Sequence, residues 1–346
     1  MEYTMPEAKN WAKEHFKGIE GLIMPSFTPD FTKLDEEGIR YDVQHAIDQG
    51  YFSLCCILEA TAMTNEERGR FTEIVCDEAK SKILVSLGLL PESVEQGLQQ
   101  IKHFESVGGT HVLLGYPVGF DFTSEEDIFQ YTKMICGATN LLINIYAQPM
   151  WGFARFHPSA FNPRLLDRMA DIDNVVAMTT PASNMPSFAE YQHLMGDKLL
   201  IQSPSHSSWP VTIPKYGQQW GGALMHDILQ TPENRRLIRM FNLFVQGEFE
   251  DAMDIYWELT PLFDVQAAQM PRYSGAGLHP FILWKYYQWL TGGNGGMLRT
   301  PVHRMNQGDK DAVRRALKAT GINPREPEEE FYVGRVNYGK GARLKL

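Results

Sequence analysis

Residues 35–58 read DEEGIRYDVQHAIDQGYFSLCCIL, and the fold can be predicted from the pattern in this stretch. In its first part, 35–49, apolar residues recur at helical spacing until Gly50, a residue type that commonly follows the last turn of a helix. The second part, 51–58, is apolar on both faces, as a buried parallel strand requires. The stretch therefore predicts a helix followed directly by a buried strand.

Short apolar runs of the same kind recur at starts 21 to 33 residues apart, with amphipathic stretches between several of them. The eight runs are 21–27, 51–58, 83–87, 111–115, 141–146, 174–179, 199–203 and 220–225. Eight strand–helix units of about 30 residues predict an α/β fold of the (β/α)8 TIM-barrel type. An open, doubly wound sheet is the alternative, but no GxGxxG follows the first strand, and this favours the barrel.

The strand pattern ends near residue 232, and helical patterns follow it. Helices are predicted at 234–246, 249–263, 280–290 and 309–320. We interpret this part as a helical C-terminal cap on the barrel. The predicted organisation is an N-terminal segment at 1–19, a barrel at 20–232, a C-terminal helical region at 233–322 and a tail at 323–346 that could wrap over a neighbour or fray.

Composition excludes several classes of protein. The 346 residues are 43% hydrophobic and 21% charged, as in ordinary globular proteins, with a net charge of −10. The acidic balance argues against nucleic acid or an anionic membrane surface as a partner. The four cysteines form no CxxC pair, no apolar run reaches about 18 residues, and the N-terminus has no apolar signal region. These features predict a cytoplasmic protein with reduced cysteines.

Four motifs stand in order at predicted strand ends and in the C-terminal region, and catalytic groups of such barrels lie at strand ends. They are GLIMPSFTPD at 21–30, LEATAMTNEER at 58–68, INIYAQP at 143–149 and GGMLRTPVHRM at 295–305. Together they resemble the dihydrodipicolinate synthase / N-acetylneuraminate lyase (class I aldolase) superfamily across roughly residues 20–322. The Tyr-Ala-Gln-Pro variant is most similar to the hydratase-aldolase branch, which acts on aromatic benzylidene-pyruvate substrates.

This resemblance implies a lyase that acts on a small molecule, needs no cofactor and forms a homo-oligomer, a tetramer or a dimer. It also implies an imine between a lysine at the end of the sixth strand and a 2-oxo acid. Thr179 stands at that position, and a hydroxyl cannot form an imine. The other lysines considered for the role lie at strand starts or in helical segments and are poor candidates. They are Lys82, Lys198, Lys215 and Lys285.

The superfamily also holds the substrate carboxylate with Gly-Thr-Thr-Gly, where this chain has Cys55, Cys56, Ile57 and Leu58. Two features of 2-oxo acid chemistry are thus missing together, and their loss predicts a changed substrate or a changed reaction. A third difference is Trp151, at a position where some members carry arginine. With Phe153, Tyr116 and Phe120 it predicts an apolar, aromatic-lined pocket for an aromatic or bulky apolar substrate. Packing of these side chains against the cap or a neighbouring subunit is the alternative.

Several polar residues at strand ends could still carry chemistry. Tyr146 matches the superfamily tyrosine that relays protons at the reacting carbon. The polar ends of strands seven and eight place imidazoles where a general base is needed. The catalytic candidates are Tyr146, His206 and His226, and the substrate-binding candidates are Thr179, Thr180, Ser205, Trp151, Tyr116 and Glu59.

Three functional hypotheses follow. The first is an imine-independent lyase that cleaves or forms a carbon–carbon bond, or adds or removes water, on a bulky carbonyl substrate, aromatic ones included. The second is a metal-assisted lyase or hydrolase in which Glu59, His206, His226 and Asp227 hold a divalent ion, although no HxH or HExxH spacing supports a metal. The third is a non-catalytic small-molecule-binding paralogue.

Overall fold

Eight parallel strands form one sheet in a computed structural model of the chain, which describes residues 3–59, 62–117, 121–146, 148–180, 185–222, 224–300 and 304–344. The order of the sheet is β7-β6-β5-β4-β3-β2-β1-β8. The strands are β1 (Gly18–Ile23), β2 (Ser53–Ile57), β3 (Leu84–Leu89), β4 (His111–Leu114), β5 (Leu142–Tyr146), β6 (Val175–Thr179), β7 (Leu200–Gln202) and β8 (Trp220–Gly221). This nearly closed arrangement confirms the predicted (β/α)8 barrel.

Helices follow the strands and then form the C-terminal region. They are α1 (Ala8–His15), α2 (Glu36–Asp48), α3 (Asn65–Ala79), α4 (Val94–Ser106), α5 (Glu125–Gly137), α6 (Pro163–Ala170), α7 (Met185–Met195), α8 (Trp209–Tyr216), α9 (Arg236–Gln246), α10 (Phe249–Ser274), α11 (Phe281–Leu290), α12 (Gln307–Ala319), α13 (Glu329–Val333) and α14 (Arg335–Gly339). Thr64 and Ser124 cap α3 and α5 with capping boxes, so local sequence fixes where these helices begin.

Each of the eight predicted strands is present, with shifted ends. β1 begins three residues early and stops before Pro25, which has no N–H to donate to a neighbouring strand. β8 is only two residues long, and side-chain bonds help to bring it beside β7: the Gln202 Nε2 atom donates to the Gly222 carbonyl oxygen at 3.3 Å. Among the described residues β7 and β8 share no backbone ladder, so the barrel closes there through the buried amide of Gln202.

The floor of the barrel is a buried polar cluster centred on Glu20. One Glu20 oxygen accepts hydrogen bonds from Ser53 (3.0 Å), Ser86 (2.7 Å) and His111 Nε2 (3.0 Å). His111 is the first residue of β4, which places its ring at the floor. The N-terminal helix α1 leads into Phe16, whose ring lies 4.5 Å from the His111 ring and covers the floor from below. Catalytic chemistry therefore has to be sought at the opposite end.

The C-terminal region differs from its predicted outline in two places. α10 was expected to end at residue 263 but continues to Ser274, through Pro261 and Pro271. The tail packs on its own chain: Arg335 Nη1 donates to the Gly292 carbonyl oxygen at 2.6 Å, and Asn337 Nδ2 donates to Asp35 at 2.7 Å. Within residues 323–344 the tail is therefore part of the fold.

Among the described residues, no helix has both the length and the apolar character that crossing a membrane requires.

Two carboxylates and one ammonium group are buried together beside α2 and α11. Lys285 Nζ lies 3.6 Å from Asp42 Oδ2. Asp227 is the third member of the group, and each of the three side chains is at most 1% exposed. Burial raises the pKa of Asp227 to about 7, and the nearby charge of Asp42 adds to this. His45 Nε2 lies 3.8 Å from Asp227 Oδ1, but burial lowers the pKa of this imidazole to about 4. His45 is therefore neutral near pH 7 and does not balance the Asp227 charge.

The Asp227→Asn variant is expected to be less sensitive to alkaline pH than the wild type. Because the pKa of Asp227 is higher in the folded chain than in the unfolded chain, the folded state holds the extra proton, and stability falls as pH rises from about 4 to 7. The amide removes this loss. The free energy of unfolding of the variant, minus that of the wild type, should therefore be about 1–3 kcal/mol larger at pH 8 than at pH 5. Urea unfolding at both pH values measures the difference, with the exposed Asp48→Asn as control; equal pH dependence in wild type and Asp227→Asn would contradict this account.

Candidate functional site

Tyr146 ends β5 at the mouth of the barrel, and its backbone pairs with Thr179 at the end of β6. Its hydroxyl lies 3.5 Å from His279 Nε2. Burial, and then the negative charge of Glu59, raise the pKa of Tyr146 well above its usual value. The phenol is therefore protonated at neutral pH and is available as a hydrogen-bond or proton donor.

His279 enters this site from the short segment between α10 and α11. Its Nδ1 atom lies 3.6 Å from Glu59 Oε2 and has no hydrogen-bond partner within the described part of the chain. The rings of Trp151 and Trp284 pack around the imidazole at centroid distances of 6.2 and 5.5 Å. Tyr146, His279 and Glu59 thus follow one another across the barrel mouth.

Sequence reasoning missed His279. The residue lies 133 positions beyond Tyr146 in the chain, in a turn of the predicted helical cap rather than at a strand end. The only signal was a histidine beside Pro280, immediately before the apolar helix that became α11. Such a histidine is common in loops, so the residue could be recognised only when the cap was placed over the barrel.

Two spaces share Tyr146, His279 and Trp284 among their lining residues. The inner space, about 30 Å³, is large enough for a water molecule or two. The outer space is about 720 Å³, which suits a ligand of substantial size. The inner space is lined by Leu22, Ile57, Glu59, Gly88, Leu89, Leu90, Leu113, Tyr146, Trp151, His279, Phe281 and Trp284. The outer cavity includes Tyr146, Gln148, Ser159, Ser205, His206, Tyr256, Phe263, Asp264, Met270, His279 and Trp284 in its walls.

Neither space has a lysine or an arginine among its described lining residues. The structure does not describe residues 60–61, 118–120, 147, 181–184, 223 and 301–303, and none of these residues is a lysine or an arginine, with the exception of none in the sequence. Asp264, by contrast, lines the outer cavity and Glu59 the inner one. The electrostatics therefore disfavour an anionic ligand.

His206 and His226 form a buried pair on the β7–β8 side of the outer cavity. His206 Nε2 lies 3.0 Å from His226 Nδ1, and the Phe263 ring stacks on His206 at 4.9 Å. Burial lowers the pKa of His226 to about 3 and that of His206 well below its usual value, with the neighbouring imidazole adding to the effect on His206. Both rings are neutral at pH 7, and His206 reaches the cavity wall while His226 supports it.

Thr179 is sealed inside the barrel. Its Oγ1 accepts hydrogen bonds from Asn144 Nδ2 at 3.0 Å and from Gln202 Nε2 at 2.8 Å, and the residue has no exposed surface. Thr180 is also buried, with its hydroxyl donating to the Gln202 carbonyl oxygen at 3.1 Å. Neither threonine is among the described residues that line the two spaces, so the structure places these two substrate-binding candidates in the barrel interior instead.

The remaining candidates divide between the site and the helix layer. Trp151 lies edge-on to Tyr146 at 5.3 Å and lines the inner space, while Ser205 lines the outer cavity. Tyr116 is instead buried against α5, with its hydroxyl 3.0 Å from Thr132 Oγ1, and Phe153 packs against the Tyr116 ring at 5.3 Å. The structure thus puts Tyr116 and Phe153 in a packing cluster; Phe120, the fourth predicted aromatic residue, lies outside the described residues.

The four residues of the metal hypothesis do not converge. Glu59 lies beside His279, His206 and His226 pair with each other, and Asp227 lies in the buried cluster near His45. Among the described residues there is no group of three or more His, Cys, Asp and Glu side chains that could hold a metal ion.

The alternative lysines lie away from the mouth or are held in ion pairs. Lys82 Nζ pairs with Glu78 at 3.7 Å, and Lys198 Nζ with Asp167 at 2.7 Å, both on the outer helix layer. Lys285 is fully buried and donates to Ser26 Oγ at 3.0 Å.

With this geometry in view, comparison with known proteins is informative. Residues 15–320 match the model of the Dihydrodipicolinate synthetase family. The chain belongs to this family. A 4-hydroxy-tetrahydrodipicolinate synthase of Methanopyrus kandleri is 23% identical over 309 residues, which are 88% of this chain and 96% of that one. One of Chloroherpeton thalassium is 27% identical over 194 residues, which are 55% of this chain and 62% of the relative.

Solved structures agree on the fold. Dihydrodipicolinate synthase from Aquifex aeolicus superposes with a TM-score of 0.74 at 18% identity, covering 90% of this chain and 100% of the other. N-acetylneuraminate lyase from Fusobacterium nucleatum superposes with a TM-score of 0.73 at 16% identity, covering 88% and 98%. At these identities the likeness establishes the barrel architecture of the family and leaves the chemistry to the site.

Proposed function

We propose that this family member is a lyase that cleaves or forms a carbon–carbon bond beside the carbonyl group of a bulky, uncharged substrate, without an imine intermediate. The observation that carries the proposal is a single cavity whose walls include a protonated phenol, Tyr146, and a neutral imidazole, His206, but no described lysine or arginine. The family and the barrel make aldol chemistry the natural class of reaction.

Tyr146 exchanges a proton with the hydroxyl oxygen at the carbon that becomes the aldehyde. His206 donates a hydrogen bond to the ketone oxygen, on which charge develops as the bond breaks. If His226 donates from Nδ1 to His206 Nε2, the N–H of His206 is on Nδ1 and is free for the substrate. Since burial keeps both imidazoles neutral, the pair stabilises an enolate by hydrogen bonding rather than by full charge.

The aromatic walls set the size and the chemistry of the substrate. Tyr256, Phe263 and Trp284 line the outer cavity, and Ser205 and Gln148 supply uncharged hydrogen-bonding groups. A carboxylate next to the ketone would lose its hydration water beside the carboxylate of Glu59. It would gain no hydroxyl donors in return, because Cys55 and Cys56, both buried, stand at the positions where the superfamily has such donors. Trp151 remains a substrate-binding candidate at the inner space, where Glu59 instead faces His279.

We expect the aldol of acetone and benzaldehyde to be cleaved with a kcat/KM at least ~10-fold above that of the aldol of pyruvate and benzaldehyde. The two compounds differ only in a methyl or a carboxylate beside the ketone, and an unpaired carboxylate costs a few kcal/mol to bury, so ~10-fold is a lower limit. Release of benzaldehyde, followed by absorbance, measures both reactions.

Preference for the pyruvate aldol would contradict the uncharged substrate. If both compounds bind but neither is cleaved, the third hypothesis, a small-molecule-binding paralogue, takes precedence.

The homo-oligomeric state and the cytoplasmic location remain predictions. Trp257 on α10 is 63% exposed and is a suitable residue for a contact between subunits.

A further inference from the structure

We propose that Glu59, His279 and Tyr146 form a proton relay in which His279, supplied by the C-terminal helical region, takes up and returns the phenolic proton of Tyr146 while Glu59 balances the charge. The use of this relay in turnover rests on the proposed function, but its resting state can be observed without a substrate. His279 and Glu59 act through Tyr146 and are therefore positioning residues.

The geometry supports the order of the relay. Tyr146 OH lies 3.5 Å from His279 Nε2, and His279 Nδ1 lies 3.6 Å from Glu59 Oε2. The first separation is at the outer limit of a hydrogen bond and the second is just beyond it, so a small side-chain movement brings both within bonding distance. The two ring nitrogens face different partners, so the imidazole can pass a proton from one side while the other side is held.

The surroundings leave His279 few other roles. Its ring is 9% exposed, and Trp151, Phe281 and Trp284 pack around it. No described arginine or lysine lines the two spaces that His279 shares with Tyr146, and Glu59 lines the inner of the two. A carboxylate in such a poorly hydrated site is costly unless it is paired, and within the described part of the chain His279 lies 3.6 Å from it.

Tyr146 alone would be a poor base, because burial and Glu59 both disfavour its phenolate form. With the His279 imidazole at its hydroxyl, the phenol can release a proton to Nε2 as it accepts another from the substrate. The resulting imidazolium lies beside the Glu59 carboxylate, so no isolated charge is created.

The proton and electron balance of a cleavage cycle closes within the site. The substrate O–H proton moves to the Tyr146 oxygen as the Tyr146 proton moves to His279 Nε2. The oxygen lone pair then forms the aldehyde C=O while the carbon–carbon bond breaks, and its electron pair becomes the enolate. Tyr146 delivers a proton to the enolate carbon and recovers one from His279, so one C–C and one O–H bond are replaced by one C–H bond and a C=O π bond. No oxidant or reductant is needed.

The tautomer of His279 tests the relay directly. The relay requires the proton on Nδ1, facing Glu59, and a bare Nε2 that accepts from Tyr146. Two-dimensional ¹H–¹⁵N NMR of the labelled full chain at neutral pH distinguishes the two tautomers, and the spectrum of His279→Asn assigns the signals. His103 is an internal reference for the opposite tautomer, since its Nε2 lies 3.0 Å from the Gly69 carbonyl oxygen, which can only accept.

We expect the wild-type His279 to carry its proton on Nδ1. In Glu59→Leu the ratio of the two tautomers should shift toward Nε2–H by ~10-fold, which is the scale of a lost charge-assisted hydrogen bond. An Nε2–H tautomer in the wild type, or an unchanged ratio in Glu59→Leu, would overturn the relay even if the lyase reaction were found. The expected tautomers without cleavage of either aldol would instead leave the relay intact and reject the proposed function. Where cleavage is found, Glu59→Gln should lower kcat and move its pH profile while KM stays nearly constant.

Discussion

The Tyr146→Phe variant is expected to lose at least ~10²-fold in turnover of the acetone aldol while its fold is retained. That is the usual scale for the loss of one acid–base group or one oxyanion donor. The hydroxyl oxygen is the only heavy atom removed, and it lies 3.5 Å from His279 Nε2. The loss should fall on kcat, because the ring that shapes the cavity remains.

Tyr116→Phe is a matched control for this variant. Tyr116 is also a buried tyrosine near a strand end, but its hydroxyl contacts Thr132 on α5. Its removal should cost about 1 kcal/mol of stability and leave kcat within twofold. Equal turnover in wild type and Tyr146→Phe, or equal losses in the two variants, would reduce Tyr146 to a packing residue.

The second large effect is expected for Thr179→Lys, which restores the lysine of the superfamily at the end of β6. The new ammonium group would enter a closed network in which Asn144 and Gln202 both bond to the Thr179 hydroxyl. Because the site has no exposed surface, the charge would be desolvated without a carboxylate partner in the described network. We expect a loss of about 3–5 kcal/mol in the free energy of unfolding, measured in urea.

Thr179→Val separates the two causes of this loss. It removes the hydroxyl without adding charge, and should cost about 1–3 kcal/mol. A Thr179→Lys protein as stable as wild type would show that the barrel interior still has room for the lysine, contrary to the sealed network described above.

The sequence predicted the parts of the molecule that are determined locally. Strands that are apolar on both faces were recognisable, and so was the helix at 35–49, which the structure has as α2. Tyr146 and Thr179 were placed correctly at the ends of β5 and β6. What a strand-end side chain contacts depends on residues far away in sequence. Nothing near Thr179 indicates that Gln202, on the next strand, closes over it.

The same limit explains Tyr116 and His279. Tyr116 follows β4 as a site residue would, but the aromatic side chains of Phe122, Tyr131 and Phe161 hold it in the helix layer. His279 belongs to the cap, whose position over the barrel is set by tertiary packing. Strand-end rules cannot predict a site residue that comes from outside the strands.

Borohydride reduction in the presence of pyruvate tests the central claim, that this barrel works without an imine. The intact mass of the wild-type protein should be unchanged, since only an imine is reduced to a stable adduct on an amine. Thr179→Lys should be trapped poorly too, because 55–58 supplies no donors for the pyruvate carboxylate. A mass increase of one reduced pyruvate in the wild type, mapped to a single lysine, would contradict the account. Lys285 would be the first to inspect, since burial lowers the pKa of its amine.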